Sequence, residues 1–258
     1  MSGPFTTRVL DHGFVHLRDS MPSLTGQKPV EGLGRGDFRI EEAARVSTSH
    51  LPNDVLNEIG SEREETRAPE QTKKLIKYMF DHEHATPFEQ VKLTFVAKLP
   101  IFVARQWIRH RAGAFNEQSA RYSKLPCEFY VPPLERMQSQ STSNKQGSAE
   151  QLTEIMAKGM QDLIHRSAGR AYDEYESLLA NGLTRELARM VLPTNFYTEW
   201  YWSTDLRNFL GFCKLRCDSH AQYEIRVYAN AMLEMARAVA PYTVGLFCER
   251  HGFGGANV

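Results

Sequence analysis

The chain has 258 residues, with 31 Lys+Arg set against 31 Asp+Glu, so its formal net charge is zero. Hydrophobic residues at 41% and charged residues at 24% match a globular chain and exclude wholesale disorder. The charge balance also excludes a protein that coats nucleic acid or anionic membrane with its whole surface, but not one with a local basic site.

In chain order, residues 1 to 35 read as irregular apart from one strand near Val9 to Leu17. A Gly/Pro/Ser-rich stretch runs from Met21 to Gly36, and Glu41 to Ser47 reads as a short helix. Pro69 to His82 places Leu75, Tyr78 and Met79 at helical spacing, with Pro near the first turn. From Gln90 to Leu99 the period changes to two, as in a half-buried strand that Pro100 stops. Ile101 then starts a helix. Glu128 to Val131 is a candidate short strand, and the polar run 138–148 reads as an exposed loop. A long helix is expected from Ala149 to Ala180, closed by Asn181-Gly182, and a second one capped by Thr184 and ended by Pro193. Phe196 to Trp202 reads as a strand. One helix should follow through Cys217 and another from Ser219 to Ala240. The expected fold is one helix-rich α+β domain over 1–258, with a mixed or antiparallel sheet packed on long helices and flexible ends at 1–7 and 246–258.

No apolar stretch of signal-peptide length opens the chain, and Asp11 and Asp19 argue against a transit peptide. The most apolar window, Leu93 to Trp107, is interrupted by Lys98, Pro100 and Arg105, so no membrane span is expected. Cys127, Cys213, Cys217 and Cys248 show no zinc spacing and read as reduced thiols of a cytoplasmic protein, with no metal expected.

The chemistry concentrates between Arg105 and Arg121, where four arginines accompany a single acid, Glu117. Arginine suits forked contacts with phosphate or with a nucleobase carbonyl edge. Gly113, with Ala112 and Ala114 beside it, suits close backbone approach to a ligand. If 117–121 is extended, Glu117, Ser119 and Arg121 share one face, a set suited to a hydroxylated phosphate ester. On composition alone a solvated charged face is the commoner outcome. A nucleotide- or RNA-binding module, with Phe115 or Tyr122 stacking on bases, is a rival reading.

The string Arg109-His110-Arg111, seven residues, then Ser119 resembles the RHR-x7-S signature of flavin-dependent thymidylate synthases. AARVS (Ala43 to Ser47), HATPFEQ (His84 to Gln90), PIFVARQW (Pro100 to Trp107), ARMVLP (Ala188 to Pro193) and LRCDSHAQYEIR (Leu215 to Arg226) resemble the family in the same order. The resemblance covers residues 8 to 245. It implies reductive methylation of dUMP to dTMP, with methylenetetrahydrofolate as carbon donor, NADPH-reduced FAD as hydride donor and tetrahydrofolate as product. It also implies a homotetramer with shared active sites, acting on small molecules and on neither nucleic acid nor membrane. By resemblance, dUMP falls to Gln106, Arg109, Glu117, Gln118, Ser119, Arg121, Arg189 and Arg216. FAD falls to Ser47, His84, Thr86, Glu89, Arg109, His110, Arg111, Glu117, Asp205, Arg207, Gly211 and His220.

Within that set Arg216 is the implied catalytic group, a fixed cation beside the developing charge of the pyrimidine. Without the family context, pairing with Asp218 would account for it. Ser119 reads as a ligand for dUMP and not as a nucleophile, because no histidine lies near it in sequence. Asp205 and Gly211 depart from the family's usual Asn and polar residue, while Arg207 is retained. Arg207 and Arg216 are nine residues apart, so one ideal helix would face them about 180° apart.

Overall fold

A computed structural model describes residues 5–23, 30–48, 52, 55, 68–142 and 147–253. The sheet is built from β1 (Thr6–Val9), β2 (Gly13–Met21), β3 (Lys92–Pro100), β4 (Ala114–Glu117) and β7 (Tyr197–Asp205). Its strand order is β1-β2-β3-β7-β4 and every pairing is antiparallel. A separate two-stranded ribbon joins β5 (Gln138–Gln140) to β6 (Ser148–Gln151). The helices are α1 (Arg35–Arg45), α2 (Pro69–Asp81), α3 (Ile101–Trp107), α4 (Glu154–Ala180), α5 (Arg185–Ala188), α6 (Leu206–Arg216), α7 (Tyr223–Arg237) and α8 (Pro241–His251). The molecule is α+β, as the sequence pattern indicates.

Strand β3 shows why the sheet is one-sided. Leu93, Phe95, Ala97 and Leu99 are fully buried and alternate with less buried residues, the period-two signature of a strand with one covered face. Across the register Phe95 faces Trp202 and Ala97 faces Trp200. Helix α6 lays Phe209 and Phe212 over these rings, at centroid distances of 5.5 Å (Phe95–Phe209) and 5.2 Å (Trp202–Phe212). Trp107, the last residue of α3, stands edge-on to Trp200 and Trp202 at 5.3 and 5.2 Å. Edge-to-face contact is the favoured geometry of such rings, and truncating one to alanine would cost about 3–5 kcal/mol. This aromatic block fixes the end of α3 against α6.

Two close approaches need glycine. A Cβ on Gly13 would lie 2.0 Å from the Tyr228 hydroxyl, which donates to the Lys98 carbonyl at 2.7 Å. That contact seats α7 on the sheet. At Gly113 a Cβ would meet Ser203 O and Trp202 Nε1, both at 2.8 Å. Gly113 therefore serves packing against β7.

Other elements depart from the sequence reading. The strand expected across Val9 to Leu17 is a hairpin, turning at Leu10 with φ of 61°. Helix α1 begins at Arg35, six residues before Glu41, because Asp37 accepts the Gly34 N–H at 2.9 Å and so caps it. Glu128 to Val131 contributes only an isolated bridge, Phe129 to Phe196. The 138–148 stretch is not a plain loop. Its described residues supply β5 and the first residue of β6, and the rest of β6 takes the first residues allotted to the long helix.

The helix expected from Ser219 to Ala240 is α7 alone, and α8 follows with Pro241 at its first turn. Phe247 and Cys248 are buried, so a flexible end from 246 is corrected as far as Phe253. At the other end, Thr6 and Thr7 pair with β2. Asp37 ties α8 in place by accepting from Thr243 N and Oγ1 at 3.0 and 2.6 Å. Its burial pushes the carboxyl above the usual aspartate range, against the hydrogen bonds that pull it down.

Candidate active site

The RHR segment leaves α3 and crosses to β4, over the C-terminal end of α6. There Arg216 donates from Nε to His110 Nε2 at 3.1 Å and from Nη2 to the Gln106 carbonyl at 3.3 Å. A guanidinium can only donate, so His110 Nε2 must carry a lone pair and the ring is neutral, protonated on Nδ1. Burial, and then the charge of Arg216, hold His110 below the ordinary histidine range. The ring stands edge-on to Phe212 at 4.9 Å. Burial also lowers the pKa of Arg216. Asp218, the partner that would account for Arg216 structurally, is turned to His220, whose backbone N–H and Nδ1 both lie at 2.8 Å. Among the described residues no carboxylate pairs with Arg216. Arg109 and Arg111 are exposed and form no ion pair among them either.

A second group of site residues gathers at the start of β7. A cleft of about 320 Å³ is lined by Glu117, Gln118, Ser119, Arg189, Leu192 and Thr198, among others. Thr198 donates to Glu117 Oε1 at 2.7 Å, and Gln118 N–H to the Glu199 carbonyl at 2.8 Å. The extended face expected over 117–121 breaks at Ser119. Ser119 opens a turn in which its carbonyl accepts from Tyr122 N at 3.1 Å and its Oγ from Arg121 N at 3.3 Å. Arg121 leaves that face and reaches Glu186 Oε2 at 3.4 Å, while Arg189 Nε donates to the Glu186 carbonyl at 3.2 Å. Glu186 thus holds both arginines. Nothing in the sequence marks it, since the contact spans 65 positions from Arg121.

The residues implied for the flavin divide. His84, Arg207 and Gly211 line one pocket of about 250 Å³ with Phe88, Leu210 and Phe247 as apolar wall and Lys214 and Arg250 as further cations. Glu89 approaches Arg207 at 3.9 Å. Thr86 lines a different cleft, of about 320 Å³, with Arg39, Ala43 and Gln90. Ser47 donates to the Ala44 carbonyl at 2.6 Å, and His220 is 83% exposed. Asp205 is the N-cap of α6, accepting Asn208 N and Nδ2 at 2.9 and 2.8 Å. Its carboxylate is engaged within the chain.

A Cβ added at Gly211 would meet nothing within 4 Å, so the pocket has room. Cations, apolar walls and that space suit one part of a flavin dinucleotide, which is larger than this pocket alone. Arg207 and Arg216 occupy different sides of α6, as helix geometry requires. For the rival nucleic-acid reading, Phe115 is stacked on Trp202 at 5.9 Å and is not free for a base, whereas Tyr122 is 78% exposed.

The sequence profile of the thymidylate synthase complementing protein family matches residues 31–242. The chain belongs to this family. A flavin-dependent thymidylate synthase of Gluconobacter oxydans is 43% identical over 93% of this chain and 72% of its own length. One from Dictyostelium discoideum is 43% identical over 94% of this chain and 73% of its own. Among solved structures, the UMP/dUMP methylase PolB of Streptomyces cacaoi bound with 5-Br dUMP is similar at a TM-score of 0.78. It is 28% identical, covering 96% of this chain and all of that one. The same methylase bound with 5-Br UMP gives 0.76 and 26% identity, over 98% of this chain. Family membership bears out the resemblance carried by Arg109 to Ser119 and its flanking segments. The family match includes both groups of site residues and ends where α8 begins.

Proposed function

We propose that this chain is an FAD- and NADPH-dependent thymidylate synthase, converting dUMP to dTMP with methylenetetrahydrofolate as carbon donor. One observation carries the reading: Arg216 is half-buried against a neutral histidine and a backbone carbonyl, with no carboxylate among the described residues to satisfy its charge. A partly desolvated cation held open in this way suits an anion that comes with the substrate. In the net reaction the folate methylene carbon replaces the hydrogen on C5 of the uracil, and two electrons from NADPH bring it to the methyl level. Tetrahydrofolate and NADP+ leave.

When bound, the flavin supplies the hydride, drawing its electrons from NADPH. His84, Arg207 and Gly211 would hold it, with Glu89 beside Arg207. The family resemblance gives Arg109, His110 and Arg111 to the flavin as well, and the two arginines are exposed cations beside His110. Gln106 and Arg216 meet the uracil, and Arg216 stabilises negative charge as it grows on the ring. Glu117, Gln118, Ser119, Arg121 and Arg189 take the deoxyribose phosphate, the arginines as forked donors. Ser119 acts as a hydrogen-bonding group, because its Oγ accepts the Arg121 N–H and no histidine among the described residues contacts it.

Among the described residues, the cleft that Arg189 lines does not include Gln106, His110 or Arg216. A homotetramer in which neighbouring subunits complete each site accounts for this division. The test is dUMP-dependent NADPH oxidation by the purified yellow protein, coupled to dTMP formation when methylenetetrahydrofolate is added, with UMP as a parallel substrate. A colourless protein that binds no added FAD and forms no dTMP overturns the reading. Methylation of UMP in preference to dUMP would replace the substrate and keep the site.

A further inference from the structure

Gln106 carries an amide whose two ends are chemically opposite, and a chain of hydrogen bonds decides which end meets the ligand. Glu224 is buried, 3% exposed, and its Oε1 accepts from Tyr130 Oη at 3.2 Å and from Arg136 Nε at 3.1 Å. Arg136 is further fixed by Gln138 Oε1 at 3.2 Å and by the face of Tyr223, 5.0 Å from its guanidinium carbon. A carboxylate opposite a guanidinium can only accept. Its other oxygen, Oε2, accepts from Gln222 Nε2 at 2.8 Å. The Gln222 amide is thereby oriented, with its carbonyl turned to Gln106, and Gln106 Nε2 donates to it. Gln106 Oε1 is left without a donor among the described residues, on the residue whose backbone carbonyl holds Arg216.

We infer that Gln222 and Glu224 are positioning residues that present the Gln106 carbonyl to the imide N–H of a bound ring. Uracil and the flavin ring both carry an imide N–H between two carbonyls, so the shared chemistry is the imide, and the binding measurements tell the two apart. The inference deepens the reading of Gln106 as a dUMP ligand and rests on it. Its consequence is directional. Replacing Glu224 by Gln puts an amide N–H where Oε2 accepted. Gln222 must then turn over, Gln106 must turn over after it, and an N–H would oppose the ligand's N–H. A mismatch of this kind leaves a donor unpaired and weakens binding about tenfold or more.

The test uses the full-length flavoprotein and measures dUMP affinity by calorimetry, flavin content by absorbance and melting temperature. Glu224→Gln should weaken dUMP binding about tenfold. Gln222→Met, at an exposed position, leaves Gln106 free to take either orientation and should weaken binding by less than Glu224→Gln, at an unchanged melting temperature. The paired variant Gln222→Glu with Glu224→Gln restores every donor and acceptor in place: Gln at 224 donates where Oε2 accepted, and Glu at 222 accepts from both sides. It should bind dUMP within about twofold of the parent protein. If the same order appears in flavin content and not in dUMP affinity, the imide belongs to the flavin. Equal affinities for both ligands in all three variants, or a loss in Glu224→Gln that the pair does not recover, overturn the inference. A parent protein that binds no dUMP overturns the reading beneath it, which separates the two failures.

Discussion

Arg216 and Arg189 are both assigned to the same small nucleotide, yet the fold holds them in opposite ways. Arg216 ends an eleven-residue helix packed on the aromatic block, with its guanidinium half-buried and locked by His110 and Gln106. Arg189 follows the four-residue α5, is exposed, and gives its Nε to the Glu186 carbonyl one turn back. The first is oriented before any ligand arrives and is partly desolvated, so its charge is less screened and acts with little reorganisation. The second is screened by water until something covers it. The difference fits the proposal that chemistry belongs to the locked side and phosphate capture to the open side.

Breaking the locked side should have the largest effect. Arg216→Ala is expected to lower turnover by about 100- to 1000-fold, the range for removing one donor aimed at developing charge. Flavin content should stay within about twofold, because the pocket lined by His84 and Arg207 is untouched. Steady-state kinetics and the flavin absorbance spectrum check both halves. On the open surface, Arg109→Ala should weaken dUMP and flavin by about tenfold each, the scale of one charge-assisted hydrogen bond. Equilibrium titration with each ligand measures it. Loss of only one ligand would remove Arg109 from between the two sites.

A pH dependence sharpens the same contrast. His110 has its folded pKa below the ordinary value of 6.5, through burial first and Arg216 second. Both states are neutral above about 6.5, so the contribution of the neutral ring is complete there. As pH falls below that value the unfolded chain takes up the proton first, and stability declines until the folded ring protonates too. Melting temperatures taken from about pH 7.5 down to 5.5 should therefore fall more steeply in the parent protein than in His110→Asn. Parallel curves would contradict the neutral His110–Arg216 contact.

The smallest expected effect separates capping from binding. Asp205→Ala removes the α6 cap and should cost about 1 kcal/mol in chemical denaturation. Flavin affinity should change less than about twofold, since both carboxylate oxygens already serve Asn208. A large fall in flavin affinity at unchanged stability would return Asp205 to the cofactor.

What the sequence made legible follows the range of the interactions. Strand β3 carries its burial pattern in its own spacing and helix α2 only in part, since Met79 is buried with Ile76 whereas Tyr78 is 54% exposed. Ser203, Thr204 and Asp205 all stand as possible caps before α6, and Asp205 is the one used. The RHR run could be read because its resemblance extends over ordered flanking segments. Contacts made at a distance could not be read. Leu10 turns the first hairpin without a glycine, and Gln138–Gln140 pairs with Ser148–Gln151 although Ala149 is the only apolar residue of the two strands. The Glu117–Ser119–Arg121 face failed because a turn at Ser119 intervenes, and Arg121 finds Glu186 instead. Pro241 was a visible stop for α7. The burial of Phe247 and Cys248 in a further helix depends on Asp37, some two hundred residues earlier.

The central claim, that neighbouring subunits each supply one half of the site, is tested most directly by complementation. Arg216→Ala and Arg189→Ala proteins, each with little activity, would be unfolded, mixed, refolded together and assayed for dTMP formation. Shared sites predict that the mixture recovers activity, because some sites then combine an intact Arg216 from one subunit with an intact Arg189 from another. A mixture no more active than its components, under conditions where the refolded parent protein regains its activity, would contradict the account.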